Sequence, residues 1–338
     1  MLRILHDTKI DFIRLWRTAA IVIAVFILPA LVLIPISGFN YSIEFTGGTL
    51  MQVGFKQPPD VAQVRSALTQ GGVPGVEIAR FGTNELVIRA QESSSVERQQ
   101  SGGAETVATQ IRATLDKLFG AGGYDVVRTE AVGPRVGDEL RRQAATATLI
   151  AFGLTLIYLA WRFEWRFALA AVLATVHDII ASLAFMKYMN IEISVFVVGA
   201  ILTVIGYSMN DKVVVFDRVR ENLRQARKEP LYDLLNRSVN ETLPRTVMTG
   251  STTLACLLAL LIFGGEVIRP FAWVLTFGII IGTFSSIYVA SPLLLWTERK
   301  WPRRVGGKDA VGPRSLGSAP VARKPSSRSR EAEGAVTR

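Results

Sequence analysis

Six long apolar runs interrupt the polar background of this chain: Thr18–Ser37, Ala144–Trp161, Phe167–Met189, Ile193–Phe216, Thr246–Gly264 and Phe271–Trp296. Each approaches the roughly 20 residues a helix needs to cross about 30 Å of hydrocarbon. They predict six transmembrane helices, numbered here as spans 1 to 6. The first run is too long for a signal-peptide core, and no small-x-small cleavage site follows it, so it reads as a span. Between spans 1 and 2 the pattern changes. Leu50–Phe55 predicts a strand. Asp60–Gln70 predicts a helix with Asp60 as N-cap behind Pro58-Pro59. Val76–Phe81 and Glu85–Arg89 predict a hairpin around Gly82-Thr83-Asn84. Ala104–Phe119 carries Val107, Ile111, Leu115 and Leu118 on one helical face, and Tyr124–Glu130 closes the set as a strand. The order β-α-β-β-α-β is that of a ferredoxin-like split βαβ sandwich. The loop QESSSVERQQSGG is polar and is expected to be mobile.

The predicted organisation is therefore an N-terminus and span 1 (1–37), an external ferredoxin-like domain (38–143), a five-span membrane domain (144–301) and a basic tail (302–338) expected to be disordered. The stretch Asp217–Leu243 looks amphipathic and is expected along the inner membrane surface through Leu223, Ala226, Leu231, Leu234, Leu235 and Val239. Mean hydropathy is +0.32.

The net charge of +10 is uneven. Segment 38–143 holds 11 Lys/Arg against 12 Asp/Glu, whereas the first 17 residues hold 4 against 2 and the tail from Thr297 holds 11 against 4. The excess lies beside membrane helices, which argues for topology and lipid contact rather than nucleic acid. Arg3, Lys9, Arg14 and Arg17 precede span 1, Arg162 and Arg166 join spans 2 and 3, and eight basic residues run from Lys212 to Arg245. The opposite connections hold only Lys187 and Arg269. Both termini are thus expected in the cytoplasm and the 38–143 domain outside it. The single Cys256 excludes an intrachain disulfide and reads as a small packing residue.

Asp211 stands inside an apolar stretch, since Val213, Val214, Val215 and Phe216 follow it. An ionised carboxylate in hydrocarbon costs at least about 2.5–3.5 kcal/mol, so such a residue is paired, wetted or used to move ions. Gly199, Thr203, Gly206 and Asn210 form a small and polar face on the same span, where another helix can approach closely. Arg245 begins span 5 and continues through Thr249, Thr252 and Cys256. Antiparallel spans put Asp211 and Arg245 at similar depth. One reading is a protonatable carboxylate tuned by a movable arginine, which stays charged while its partner titrates. The other is a fixed structural ion pair. His177 and Asp178 lie near the middle of span 3 with Ser182 one turn on, as a proton relay or as a packing pair. Gly278 and Gly282 on span 6 are a small-xxx-small pair for internal packing or a partner contact. His6 and His177 cannot build a metal site together, and no GxxxxGK[ST] loop is present. Gly47-Gly48 reads as a tight turn before the first external strand.

The segments EFTGGT (44–49), VGPRVGDEL (132–140), HDI (177–179), GYSMNDKVVVFDRVREN (206–222) and LPRTVMTGSTT (243–253) together resemble the SecF branch of the SecD/SecF family, within the resistance-nodulation-division superfamily. The resemblance covers all six spans and the external domain but not the tail beyond about Pro302. It implies a non-enzymatic subunit of the bacterial inner membrane, paired with SecD, that uses the proton-motive force to help complete export of unfolded chains through SecYEG, pushed by SecA. YajC and YidC are further partners it implies. No cofactor is implied, and sodium is not excluded as the coupling ion. The family's essential aspartate falls on Asp211 and its arginine on Arg245, with a further aspartate expected from SecD. His177 and Asp178 fall on a His-Asp pair of open role.

Two positions depart from the pattern. Glu44 stands where the family has aspartate. Lys212 stands where it usually has threonine, and is expected to snorkel to the cytoplasmic interface with modest effect on coupling. A half-transporter for a lipid or small molecule, and a structural scaffold with a static Asp211–Arg245 pair, are the alternatives.

Overall fold

The computed structural model describes residues 8–73, 75–90, 103–120, 122–225, 229–265 and 267–301. Residues 91–102 of the predicted mobile loop and the whole tail 302–338 lie outside these. Six of the described helices are long and apolar enough to cross a membrane: Ile13–Ser37, Pro134–Arg162, Trp165–Tyr188, Val195–Gln225, Leu231–Phe263 and Arg269–Lys300. The regular part of the first is α1 (Trp16–Ser37), followed by a single turn, α2 (Ile43–Thr46). The external layer is then β1 (Gly48–Phe55), α3 (Val61–Gln70), β2 (Glu77–Phe81), β3 (Glu85–Ala90), α4 (Gly103–Phe119) and β4 (Tyr124–Val132). The bundle is completed by α5 (Pro134–Arg162), α6 (Trp165–Tyr188), α7 (Val195–Gln225), α8 (Leu231–Phe263), α9 (Arg269–Ser285) and α10 (Ser291–Lys300), the last two joined by a π-helical turn, Ser286–Ala290.

The external layer has the predicted ferredoxin-like order. The sheet runs β2-β3-β1-β4 and all its neighbours are antiparallel. Asp60 caps α3 as expected, its Oδ1 accepting from the Ala62 N–H at 2.9 Å. Met51, Val53, Leu86 and Ile88 from the strands meet Val64, Leu68, Ile111 and Leu115 from the helices in one core. At its edge Tyr124 donates to Asp116 at 2.8 Å, and burial, then the bond to Asp116, pushes the Tyr124 phenol up to about 12. The Gly47-Gly48 turn has φ of 74° and 126°. A Cβ on Gly47 would sit 2.9 Å from the Pro134 Cα, so the turn also lets the start of α5 approach the chain.

The stretch 217–243 departs from expectation: Ala226 lies outside the described residues, and Leu234, Leu235 and Val239 do not face a membrane surface but are buried with Ile13, Phe216 and Val219 in a single core. α7 and α8 simply continue past the apolar runs and pair with each other. Asn222 donates to Ser238 Oγ (2.9 Å) and Glu241 Oε2 (2.8 Å), and Arg218 pairs with Glu241 at 2.6 Å. The N-terminal segment is strapped onto α8. Asn240 Oδ1 accepts from the Ile10 N–H and Asn236 Oδ1 from the Ile13 N–H, both at 3.0 Å. Asp11 accepts from Tyr232 (2.7 Å) and Asn236 (2.7 Å). Partial burial pushes the Asp11 carboxyl up, but these hydrogen bonds and Arg14 win and hold it below the ordinary range.

Within the bundle α9 lies against α7 through its glycines. A Cβ on Gly278 would overlap the Val204 methyls, and one on Gly282 would sit 2.9 Å from Ser208 Cβ. The pair therefore serves internal packing, not a partner contact. Gly278→Ala is expected to destabilise the bundle by about 1–3 kcal/mol through overpacking, read as a fall in the thermal unfolding midpoint of the detergent-purified chain. Gly206→Ala, where nothing lies within 4 Å of the added atom, is expected to leave that midpoint unchanged.

Candidate functional site

α6, α7, α8 and α9 pack against one another and bring polar side chains into the bundle interior. Asp211 projects from α7 and is 4% exposed. Its Oδ1 accepts from Thr246 Oγ1 of α8 at 3.3 Å. Its Oδ2 is buried without a hydrogen-bond partner. Thr283 of α9 faces the same carboxylate, yet its hydroxyl is outside hydrogen-bond geometry.

The expected Asp211–Arg245 ion pair is not formed. Arg245 is exposed, and among the described residues none of the ion pairs includes either residue. The reason is helical geometry. Thr246 turns inward to meet Asp211, and the preceding residue diverges from it by about 100° around the helix axis. Depth alone put the two charges together in sequence. The face each occupies keeps them apart.

Lys212 takes the opposite place to the one expected. It does not snorkel to an interface but is fully buried, at 0% exposure. Its Nζ donates to Asp178 Oδ2 of α6 at 2.5 Å and also to Ser208 Oγ. Ser208 Oγ in turn donates to the same Asp178 oxygen. The other oxygen, Asp178 Oδ1, lies 2.9 Å from His177 Nδ1, and Ser182 Oγ donates to the Asp178 carbonyl at 2.8 Å. The structure thus assembles His177, Asp178, Ser208 and Lys212 into one buried network. The sequence marks the first two as a pair but gives no sign that a lysine one residue past Asp211 would reach them. The long stem of Lys212 and the packing of α6 on α7 make that reach possible.

Gly199, Thr203, Gly206 and Asn210 do form a face of α7, but none of the described helices covers it. Thr203, Gly206 and Asn210 are exposed, and a Cβ on Gly199 or Gly206 would meet nothing within 4 Å. Thr249, on α8, is exposed as well and turns its hydroxyl to the Arg245 carbonyl at 3.0 Å. Among the described residues His177 Nε2, Tyr207 Oη, Thr276 Oγ1 and Thr283 Oγ1 are also buried in the bundle without hydrogen-bond partners. Groups of this kind are ones that water satisfies inside a protein.

At the N-terminal end of α7 a second cluster joins the helix to the external layer, and sequence reasoning missed it. Glu44 Oε2 accepts from the Val195 N–H, the first amide of α7, at 2.6 Å. The strand-like contact Tyr41–Ile193 runs alongside, with Ser42 N–H to Ile193 O at 2.9 Å and Ile193 N–H to Asn40 O at 2.7 Å. Arg89 of β3 pairs with Glu192. Burial pushes the Glu192 carboxyl up, Arg89 opposes this, and the nearby Glu44 and Glu77 charges add to it. A carboxylate suits Glu44 because a helix N-terminus carries unpaired donors and partial positive charge. Glu44→Ala is expected to remove about 1 kcal/mol of local stability, seen as faster amide hydrogen exchange at Val195 to Val197 with the α6 amides unaffected.

A family model described as protein export membrane protein SecD/SecF, C-terminal, matches residues 113–300, and one described as SecD/SecF GG motif matches residues 32–59. The protein translocase subunit SecF of Gemmatimonas aurantiaca is 59% identical over 306 residues, covering 90% of this chain and 91% of that one. The same-named subunit of Desulfurispirillum indicum is 44% identical over 86% of this chain and 92% of its own. Among solved structures, the crystal structure of SecDF from Thermus thermophilus, titled a translocon-associated membrane protein, superposes with a TM-score of 0.77 at 36% identity. That match covers 88% of this chain and 40% of the solved one.

Proposed function

This chain belongs to the SecD/SecF family of protein export membrane proteins, and we propose that its buried Asp211 couples proton movement to protein export. In this reading it works in the bacterial inner membrane with both termini in the cytoplasm, beside SecYEG and the SecA motor, with YajC and YidC as further neighbours. The observation that carries the proposal is the state of Asp211: a carboxylate inside a helix bundle, held by one hydroxyl, with no cation at ion-pair distance among the described residues. Such a group gains a great deal from taking up a proton, and loses that proton when water or a cation reaches it. One change of charge in a low-dielectric bundle is enough to shift the balance between two helix arrangements. The same helix carries Asp211 about midway along its length and is capped by Glu44 at its start, which supports transmission of an α7 shift to the external layer.

The uncovered face Gly199, Thr203, Gly206 and Asn210, with Thr249 on α8, supports a second membrane half seated against it, and in this family that half is SecD. The Thermus protein supports the same pairing, because its SecDF chain is more than twice the length that this chain matches. The interaction test is recovery of SecD and SecY with a tagged chain. Gly206→Leu is expected to lower SecD recovery several-fold while the chain's own membrane level stays constant. The functional test is export of a reporter protein in cells depleted of this chain. Loss of the component that depends on the proton gradient supports the reading, and an unchanged component removes it.

A further inference from the structure

We propose that Asp178 is a positioning residue, which holds the Lys212 ammonium away from Asp211 and so keeps that carboxylate free to exchange a proton. The inference rests on the reading of Asp211 as the proton site and adds a residue to it. Three observations carry it. Lys212 follows Asp211 directly in α7, and its ammonium is at 0% exposure, so it must pair inside the bundle. Among the described residues two buried carboxylates are candidates, Asp178 across the α6–α7 contact and Asp211 beside it. Asp178 takes it, with Ser208 as a second anchor donating to the same oxygen. Asp211 is left with an unpartnered oxygen.

Among the described residues, the charged and titratable groups at this cluster are His177 and Asp178 from α6 and Asp211 and Lys212 from α7, with the buried Tyr207 hydroxyl of α7 beside Thr283. Arg245 of α8 lies near but is turned outward and exposed, and α9 presents the Thr283 hydroxyl to Asp211. If Asp178 lost its charge, the lysine would have one buried carboxylate left to turn to. An ammonium on Asp211 would hold it ionised, and a carboxylate held ionised does not report the proton gradient. The network would thus act by separation: one acid is committed to the lysine so that the other stays available.

A carbodiimide reacts with the protonated carboxyl group, so its labelling of Asp211, read by peptide mass spectrometry, follows the protonation of that residue. The measurement uses membranes holding the full chain with its SecD partner, over a range of pH. In the unaltered chain labelling is expected to rise as pH falls through a midpoint. In Asp178→Asn the midpoint should fall by about one pH unit or more, the size an adjacent opposite charge produces. Adding Lys212→Thr to Asp178→Asn should restore it. Ser208→Ala, which removes one anchor and keeps the charge pair, should give a smaller shift in the same direction and serves should Asp178→Asn fail to accumulate. An unmoved midpoint in these variants, or a double variant that behaves like Asp178→Asn, overturns the proposal. Labelling of the unaltered chain that is flat across pH is a different result: it removes Asp211 as a proton site, and the proposed function falls with it.

Discussion

Lys212→Thr is expected to cost the chain about 3–5 kcal/mol, the penalty for stripping one partner from a buried ion pair. Both members of the pair are sealed off, Lys212 at 0% and Asp178 at 1% exposure. With the ammonium gone, Asp178 keeps a hydroxyl from Ser208 and an imidazole nitrogen from His177. Neither takes the place of the ammonium against the same oxygen. The carboxyl must then bind a proton at neutral pH or drag water into the contact between α6 and α7, and either weakens the packed state. Removing both charges is different. Asp178→Asn together with Lys212→Thr leaves neutral groups that can hydrogen-bond, and most of the loss should return. Thermal unfolding of the detergent-purified complex checks both. A large drop for Lys212→Thr that the double variant reverses is the expected pattern; an unchanged midpoint for Lys212→Thr contradicts a buried, working pair. Threonine at this position is thus no neutral exchange in this chain, because Asp178 is paired with the lysine.

Asp211→Asn is expected to leave the chain assembled and remove the whole gradient-dependent part of export. Asparagine keeps the size of the side chain, and its carbonyl oxygen can still accept from Thr246, so the contact between α7 and α8 survives. What it lacks is a titratable oxygen. In the proposed reading a buried charge that alternates with a neutral form disappears, and with it what distinguishes two arrangements of the bundle. Stability should change little, or rise slightly, since a buried carboxylate without a cation is costly to keep. Asp211→Glu retains the titration but displaces it by a methylene, and is expected to keep part of the function. Export kinetics of a reporter in cells, with and without an uncoupler at matched protein levels, separate the three: full response, none, and partial.

The fold was largely legible because its two signals are strong and independent. A run of about 20 apolar residues fits a membrane-crossing helix and little else. The apolar run around Leu86 and Ile88 and the helical spacing of Val107, Ile111 and Leu115 mark the residues that the sandwich core then uses. The exception was 217–243, where amphipathic spacing marks a buried face without saying what covers it. Here Phe12, Ile13 and Phe216 cover it rather than lipid. The site was legible by depth but not by rotation. Asp211, Arg245, His177 and Asp178 all fall within helices long and apolar enough to cross a membrane. Whether two residues at one depth meet depends on how each helix is turned about its axis, and that is set by contacts such as Gly278 on Val204 that no single run displays. The Glu44 cap on α7 was hidden for a related reason: a carboxylate in a turn gives no sign of the amide about 150 residues away that it will meet.

The most direct test of proton coupling uses sealed membrane vesicles in which export of a reporter chain is followed under an imposed proton gradient, an imposed sodium gradient, or neither. Vesicles with the unaltered chain are compared with vesicles holding equal amounts of Asp211→Asn, with SecD levels matched. The account predicts that the proton gradient speeds export in the first and leaves the second at the rate seen without any gradient. Equal acceleration in both would contradict it, and would leave Asp211 as a structural charge in a scaffold.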